Sequence, residues 1–206
     1  MSEHPPDWTA PSPWRDVTRS PPPRERLPVI VGISGASGAL LARAALRRLL
    51  ARGEHVGCVA SRAAHEVWQD ELQESLDDGV RALDPSGTHL HLHPPDRFNA
   101  APASGSFRTK GMIVIPCSMS TAAALATGTG GDLLKRSADV CIKEGRRLVV
   151  VPRESPMSAI HLRNLATLAE LGVRVVPPIP PFYRRPQTVE EAVDQVLDRV
   201  LQAFYD

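Results

Sequence analysis

The chain is expected to fold as α/β, with a doubly wound parallel sheet. Three observations predict it. Continuous apolar, β-branched runs such as Pro28–Ile33 suit strands buried on both faces. Segments with helical periodicity follow these runs. Turns rich in Gly, Ser and Pro then sit where such a sheet places its ligands, at the carboxyl ends of the strands.

Taken in order, the strand at 28–33 leads through a Gly/Ser turn into a helix over 39–52, stopped by Gly53. His55–Ala60 reads as the second strand and Ala63–Leu76 as one helix. Residues 77–110 read as irregular apart from a short alternating strand at Thr88–His93. Met112–Pro116 is a buried strand followed by a small-residue helix from Thr121. Arg147–Pro152 and Val173–Pro177 are strands separated by a helix over 159–171. In the last helix Thr188 and Glu191 form a capping box. Val189, Ala192, Val193, Val196, Leu197, Val200, Leu201 and Phe204 then keep a 3.6-residue stripe.

Residues 1–26 hold seven of the 20 prolines and read as a disordered arm outside a single domain at 27–206; Trp8 and Trp14 are candidates to pin it. With Lys+Arg 24 against Asp+Glu 23, no footprint for nucleic acid or an anionic membrane is visible. No signal peptide or membrane span is evident, so a cytoplasmic protein is expected. Cys58, Cys117 and Cys141 have neither disulfide-scaffold nor zinc spacing. Only Lys110, Lys135 and Lys143 are lysines, which singles each of them out.

The chemistry is expected at the strand ends. Gly32–Gly38 is neither a P-loop nor GxGxxG, and Ser61 stands where an acidic residue would grip a ribose. Hydroxyls at Ser34 and Ser37 beside a helix N-terminus suit a single phosphate, such as that of FMN. Pro116–Thr121 brings a second set of hydroxyls to a helix start. Cys117 reads as packing, with a nucleophile as the alternative. Arg153 can hold an anion and Glu154 can accept or relay a proton. His89, His91 and His93 share a strand face; a polar face in a loop-rich insertion is expected rather than a metal site.

GISGASG (32–38), PASGSF (102–107), PCSMST (116–121), LLKRSADVCIKE (133–144), RRLVVVPRESP (146–156), IHLRNL (160–165) and the stretch at 177–201 resemble the UbiX-type flavin prenyltransferases. The resemblance implies a Rossmann-like, flavodoxin-like three-layer α/β/α fold. It also implies transfer of a dimethylallyl group from dimethylallyl phosphate to N5 and C6 of reduced FMN without a metal. The product, prenylated FMN, serves a UbiD-type decarboxylase. Implied FMN contacts are Gly35, Ala36, Ser37, Ser61, Ser118, Met119, Ser120, Thr121 and Arg153. Implied prenyl-phosphate contacts are Lys143, Tyr183 and Arg199, lined by Ser104 and Gly105. Lys143, Glu154, Ser37 and Glu71 are the implied catalytic group, and a homo-oligomer, up to a dodecamer, is the implied assembly. Gly145 replaces an arginine of the family, Phe98 stands where some members have tryptophan, and the sequence ends at Asp206 before a tryptophan-bearing tail. Two alternatives stand beside this: a flavin-dependent cysteine decarboxylase, with His65 as base, and a non-catalytic FMN-binding subunit of a decarboxylase.

Overall fold

The computed structural model describes residues 27–206. The arm at 1–26, with the pinning role expected of Trp8 and Trp14, lies outside the described residues. Six strands form one sheet: β1 (Val29–Ile33), β2 (Val56–Ala60), β3 (Leu90–His93), β4 (Gly111–Cys117), β5 (Arg147–Pro152) and β6 (Arg174–Val175). All pairings are parallel and the order is β3-β2-β1-β4-β5-β6. That is the Rossmann order, and it reverses direction between β1 and β4.

The helices are α1 (Ala39–Ala51), α2 (Arg62–Leu72), α3 (Leu76–Leu83), α4 (Met119–Ala126), α5 (Leu133–Lys143), α6 (Ala159–Glu170) and α7 (Val189–Tyr205). Two apolar clusters make the three layers. Val29, Val31 and Ile33 face α1, α2, α3 and α7 on one side of the sheet. Ile30, Met112 and Val114 face α4, α5 and α6 on the other. Alternate side chains of each strand therefore feed opposite cores, which is why these strands read as unbroken apolar runs.

Three expectations change. The helix expected over 63–76 is two, α2 and α3. Gln73 adopts a left-handed φ of 56° and Ser75 starts α3 by accepting from Asp78 N–H at 3.1 Å. The strand at 88–93 is no insertion; it is the sheet's edge strand, paired in register with β2. The cap of α7 is half a capping box: Thr188 accepts from Glu191 N–H at 3.1 Å, but the Glu191 carboxylate reaches Gln187 N–H instead of Thr188.

The amino ends of the strands are closed by a polar clasp. Glu54 is buried and accepts from Lys110 Nζ at 2.6 Å and from the Tyr205 hydroxyl at 2.7 Å. The Arg52 guanidinium stacks 4.6 Å over the Tyr205 ring. Arg147 Nη1 donates to the Ala203 carbonyl at 3.1 Å. The C-terminal helix is thus pinned to the sheet at the end opposite the crevice.

Candidate active site

The reversal of strand order brings the loops after β1 and β4 side by side. Ser34, expected as a phosphate donor, is buried and already committed. Its hydroxyl donates to the Pro116 carbonyl at 2.8 Å and accepts from Ser118 N–H at 2.7 Å. It ties the two loops together instead. Cys117 is buried, and desolvation pushes its thiol up to about 12, so it packs and is no nucleophile.

At the N-terminus of α1 the phosphate position expected at Ser37 already faces an anion from within the chain. The Glu71 carboxylate accepts from Gly38 N–H at 3.0 and 3.1 Å and from Ala39 N–H at 2.7 Å. Desolvation opposes its ionisation, yet hydrogen bonds from Ser37, Gly38 and Ala39 and the Arg153 charge outweigh that and hold the carboxyl below its usual range. Arg153 Nε donates to the Ser37 carbonyl at 3.2 Å, and Glu154 accepts from Ser155 N–H at 3.0 Å, so the two neighbours are not an ion pair. Ser37, Glu71 and Arg153 form one group around the end of α1.

Beside it opens a cleft of about 390 Å³ lined by Gly35, Ser61, Arg62, Ala63, Pro95, Asp96, Ser118, Ser120, Thr121, Gly131, Asp132 and Lys135. Three helix N-caps line this one cleft: Ser61 of α2, Ser118 of α4 and Asp132 of α5. Each such end carries roughly half a positive charge. Ser118 Oγ lies 3.1 Å from Ser120 Oγ and 3.0 Å from Thr121 Oγ1, a string of hydroxyls along the α4 entrance. Gly35 permits the arrangement, because a Cβ there would come 2.4 Å from Ala63 Cβ. Ala36 and Met119, adjacent in sequence to lining residues, are buried. Hydroxyls, helix ends and a compact volume fit one phosphate with a ring system attached.

The remaining expected residues are elsewhere on the chain. Lys143 closes α5 just before β5 begins at Arg147, at the amino side of the sheet, whereas Arg153 follows the carboxyl end of β5. Its ammonium pairs with Glu144, beside Gly105; Ser104 adjoins it. Tyr183 and Arg199 line a separate cleft of about 370 Å³ on the flank of α7. Arg199 does not reach inward as expected: its guanidinium bonds to Gln202 on the same helix. Gly145, at φ 62°, ends α5 in a left-handed turn where an arginine would be strained, so the departure suits the site. His65 faces Asp77 at 3.6 Å. His89, just before β3, stacks on His55, and within β3 His91 meets His93 edge to face.

Sequence reasoning missed Arg62, Asp96, Asp132 and Lys135 in the cleft. Asp132 carried a signal, an N-cap residue just before a helical run, and the rarity of lysine pointed at Lys135.

The family model Flavoprotein matches residues 18–202. The chain is 50% identical over 183 residues to Flavin prenyltransferase UbiX of Synechocystis sp., covering 84% of this chain and 89% of that protein. It is 42% identical over 178 residues to Flavin prenyltransferase LpdB of Lactiplantibacillus plantarum, covering 86% and 92%. Among solved structures, AnUbiX (PadA1) in complex with FMN and dimethylallyl pyrophosphate superposes with a TM-score of 0.81 at 39% identity, covering 87% of this chain and 92% of that one. A dodecameric FMN-dependent UbiX-like decarboxylase from Escherichia coli O157:H7 gives 0.80 at 44% identity, covering 86% and 94%. The cysteine decarboxylase TvaF, at 15% identity and a TM-score of 0.62, shares the fold alone. With a relative half identical over most of both chains, this chain belongs to the UbiX-type flavin prenyltransferases of the flavoprotein family.

Proposed function

We propose that this enzyme joins the dimethylallyl group of dimethylallyl phosphate to N5 and C6 of reduced FMN, giving prenylated FMN for a UbiD-type decarboxylase. The observation that carries this reading is the cleft at the β1/β4 reversal, where three helix N-termini and four hydroxyls converge. Ser61, Ser118, Ser120 and Thr121 would hold the flavin phosphate, with the Gly35–Ser37 loop and Arg153 completing the contact. Reduced FMN, when bound, supplies the nucleophilic nitrogen and the ring carbon that accept the prenyl group.

The chain's own residues deal with the donor. As the allylic C–O bond breaks, the leaving phosphate takes the bonding pair and gathers negative charge. Lys143, Tyr183 and Arg199 offer two cations and a phenol O–H to that anion, which replaces the need for a metal. Glu154 carries a proton away from the ring as the new bonds close, and the released phosphate accepts it.

On one chain Tyr183 and Arg199 line a cleft of their own, and Lys143 lines neither that cleft nor the one with the helix ends. We infer that a closed homo-oligomer, working in the cytoplasm, assembles the site from several subunits. Ile179 and Phe182, 67% and 74% exposed beside Tyr183, are apolar surface that such an assembly covers. The domain is assigned to residues 27–206.

Mixing tests this. Lys143→Ala and Arg199→Ala should each lose roughly thirty- to a thousandfold in prenyl-transfer rate, excess EDTA leaving the wild type active. Dissociated and reassembled together, the two variants should regain activity, because some sites then receive both native residues. Mixed oligomers as inactive as either parent would place both residues on one subunit's site.

A further inference from the structure

We propose that Lys135 is the exchangeable counter-cation of the flavin phosphate, leaving Asp132 for the phosphate on binding and so selecting FMN over riboflavin. This rests on the flavin reading of the cleft given above.

Lys135 lines the cleft together with Ser61, Ser118, Ser120 and Thr121. Its Nζ lies 3.1 Å from Asp132 Oδ2. The other oxygen of Asp132, Oδ1, accepts from Lys135 N–H at 2.8 Å and caps α5. The two roles of Asp132 are thus divided between its oxygens. The ammonium can depart while the cap stays closed.

Charge balance supplies the reason to depart. The cleft's two cations, Arg62 and Lys135, are matched by Asp96 and Asp132. A bound phosphate monoester adds about 1.5 to 2 negative charges to this neutral ring. Helix ends offset part of it, and one cation must turn to offset the rest. Arg62 and Asp96 keep 79% and 63% of their side chains exposed, where water and salt screen them. Lys135 and Asp132 keep only 25% and 19% exposed. Its four-carbon stem is flexible, and Gly131 beside it adds no side chain to the cleft wall; even a Cβ there would meet Nζ only in ordinary contact at 3.5 Å.

The test is titration of the full-length protein with FMN and with riboflavin, followed by quenching of flavin fluorescence. Lys135→Gln should bind FMN about ten- to a hundredfold more weakly, with riboflavin unchanged within about twofold. Lys135→Arg should retain most of the FMN affinity. Asp132→Asn keeps a capping side chain but removes the competing charge, and should tighten FMN alone. Equal losses for both flavins, or no loss, would overturn the role of Lys135 while leaving the cleft as a flavin site. A wild type that binds neither flavin would overturn both.

Discussion

The N-termini of α1 and α4 stand side by side where the strand order reverses, and they are used in opposite ways. At α1 the backbone N–H groups of Gly38 and Ala39 are taken by the Glu71 carboxylate. At α4 the hydroxyls of Ser118, Ser120 and Thr121 face a cleft. Both ends carry the same partial charge and favour an anion. One receives it from thirty-odd residues along the chain; the other opens on the cleft proposed for the flavin phosphate. A helix end is therefore no site until one knows what the fold has already put there.

Giving α4 what α1 already has should have the largest effect. Ser120→Asp places a carboxylate in the first turn of α4, where the helix end favours it and folding is preserved. FMN affinity, read by fluorescence quenching, should fall by about a hundredfold or more as like charges meet in the cleft. Unchanged affinity would break the contrast between the two ends.

Acid should act next, at the end of the edge strand β3. His93 is buried at the end of β3, just before Pro94 and Pro95. Desolvation, then His91 and Arg97, push it down to about 3. The unfolded chain holds that proton more tightly, near the ordinary value of about 6.5. Stability from this group is therefore complete above pH 6.5 and is lost progressively toward pH 3. About 2 kcal/mol should be gone at pH 5 by urea unfolding, and His93→Gln should flatten that slope. An equal slope in the variant would assign the acid loss to other groups.

The smallest effect is expected at α1. Glu71→Gln keeps the shape and removes the charge, at a cost of about 1 kcal/mol in thermal unfolding. Since its carboxyl is held below the usual range, that contribution is present above about pH 4.5 and fades as pH falls through the folded value. FMN affinity should hold within about threefold if the flavin phosphate is held chiefly at the α2 and α4 ends, by Ser61, Ser118, Ser120 and Thr121, as proposed. A change as large as that of Ser120→Asp would move the phosphate to α1.

Much of this was legible in the sequence because it is local. The run Val29–Ile33 and the stripe of α7 report burial residue by residue, and PCSMST announces the cap of α4. What was hidden depends on partners distant in sequence. Ser34 looked like a ligand because its acceptor, the Pro116 carbonyl, is 82 residues away. Glu71 carried no local sign of reaching Gly38, 33 residues back. The break at Gln73 was masked by continuous helix-forming residues, although Ser75 to Asp78 has the spacing of a cap. The separation of Lys143 from Tyr183 and Arg199 on one chain was invisible because a motif states membership of a site and not the positions its residues take in the fold.

Mass spectrometry of the flavin shows whether this chain transfers a prenyl group. The protein is incubated anaerobically with reduced FMN and dimethylallyl phosphate, and the released flavin is weighed. The flavin should be heavier than FMN by one dimethylallyl unit, formed with excess EDTA present and absent without protein. Unmodified FMN, recovered from protein shown by titration to be saturated with it, would contradict the assignment of prenyl transfer to this chain.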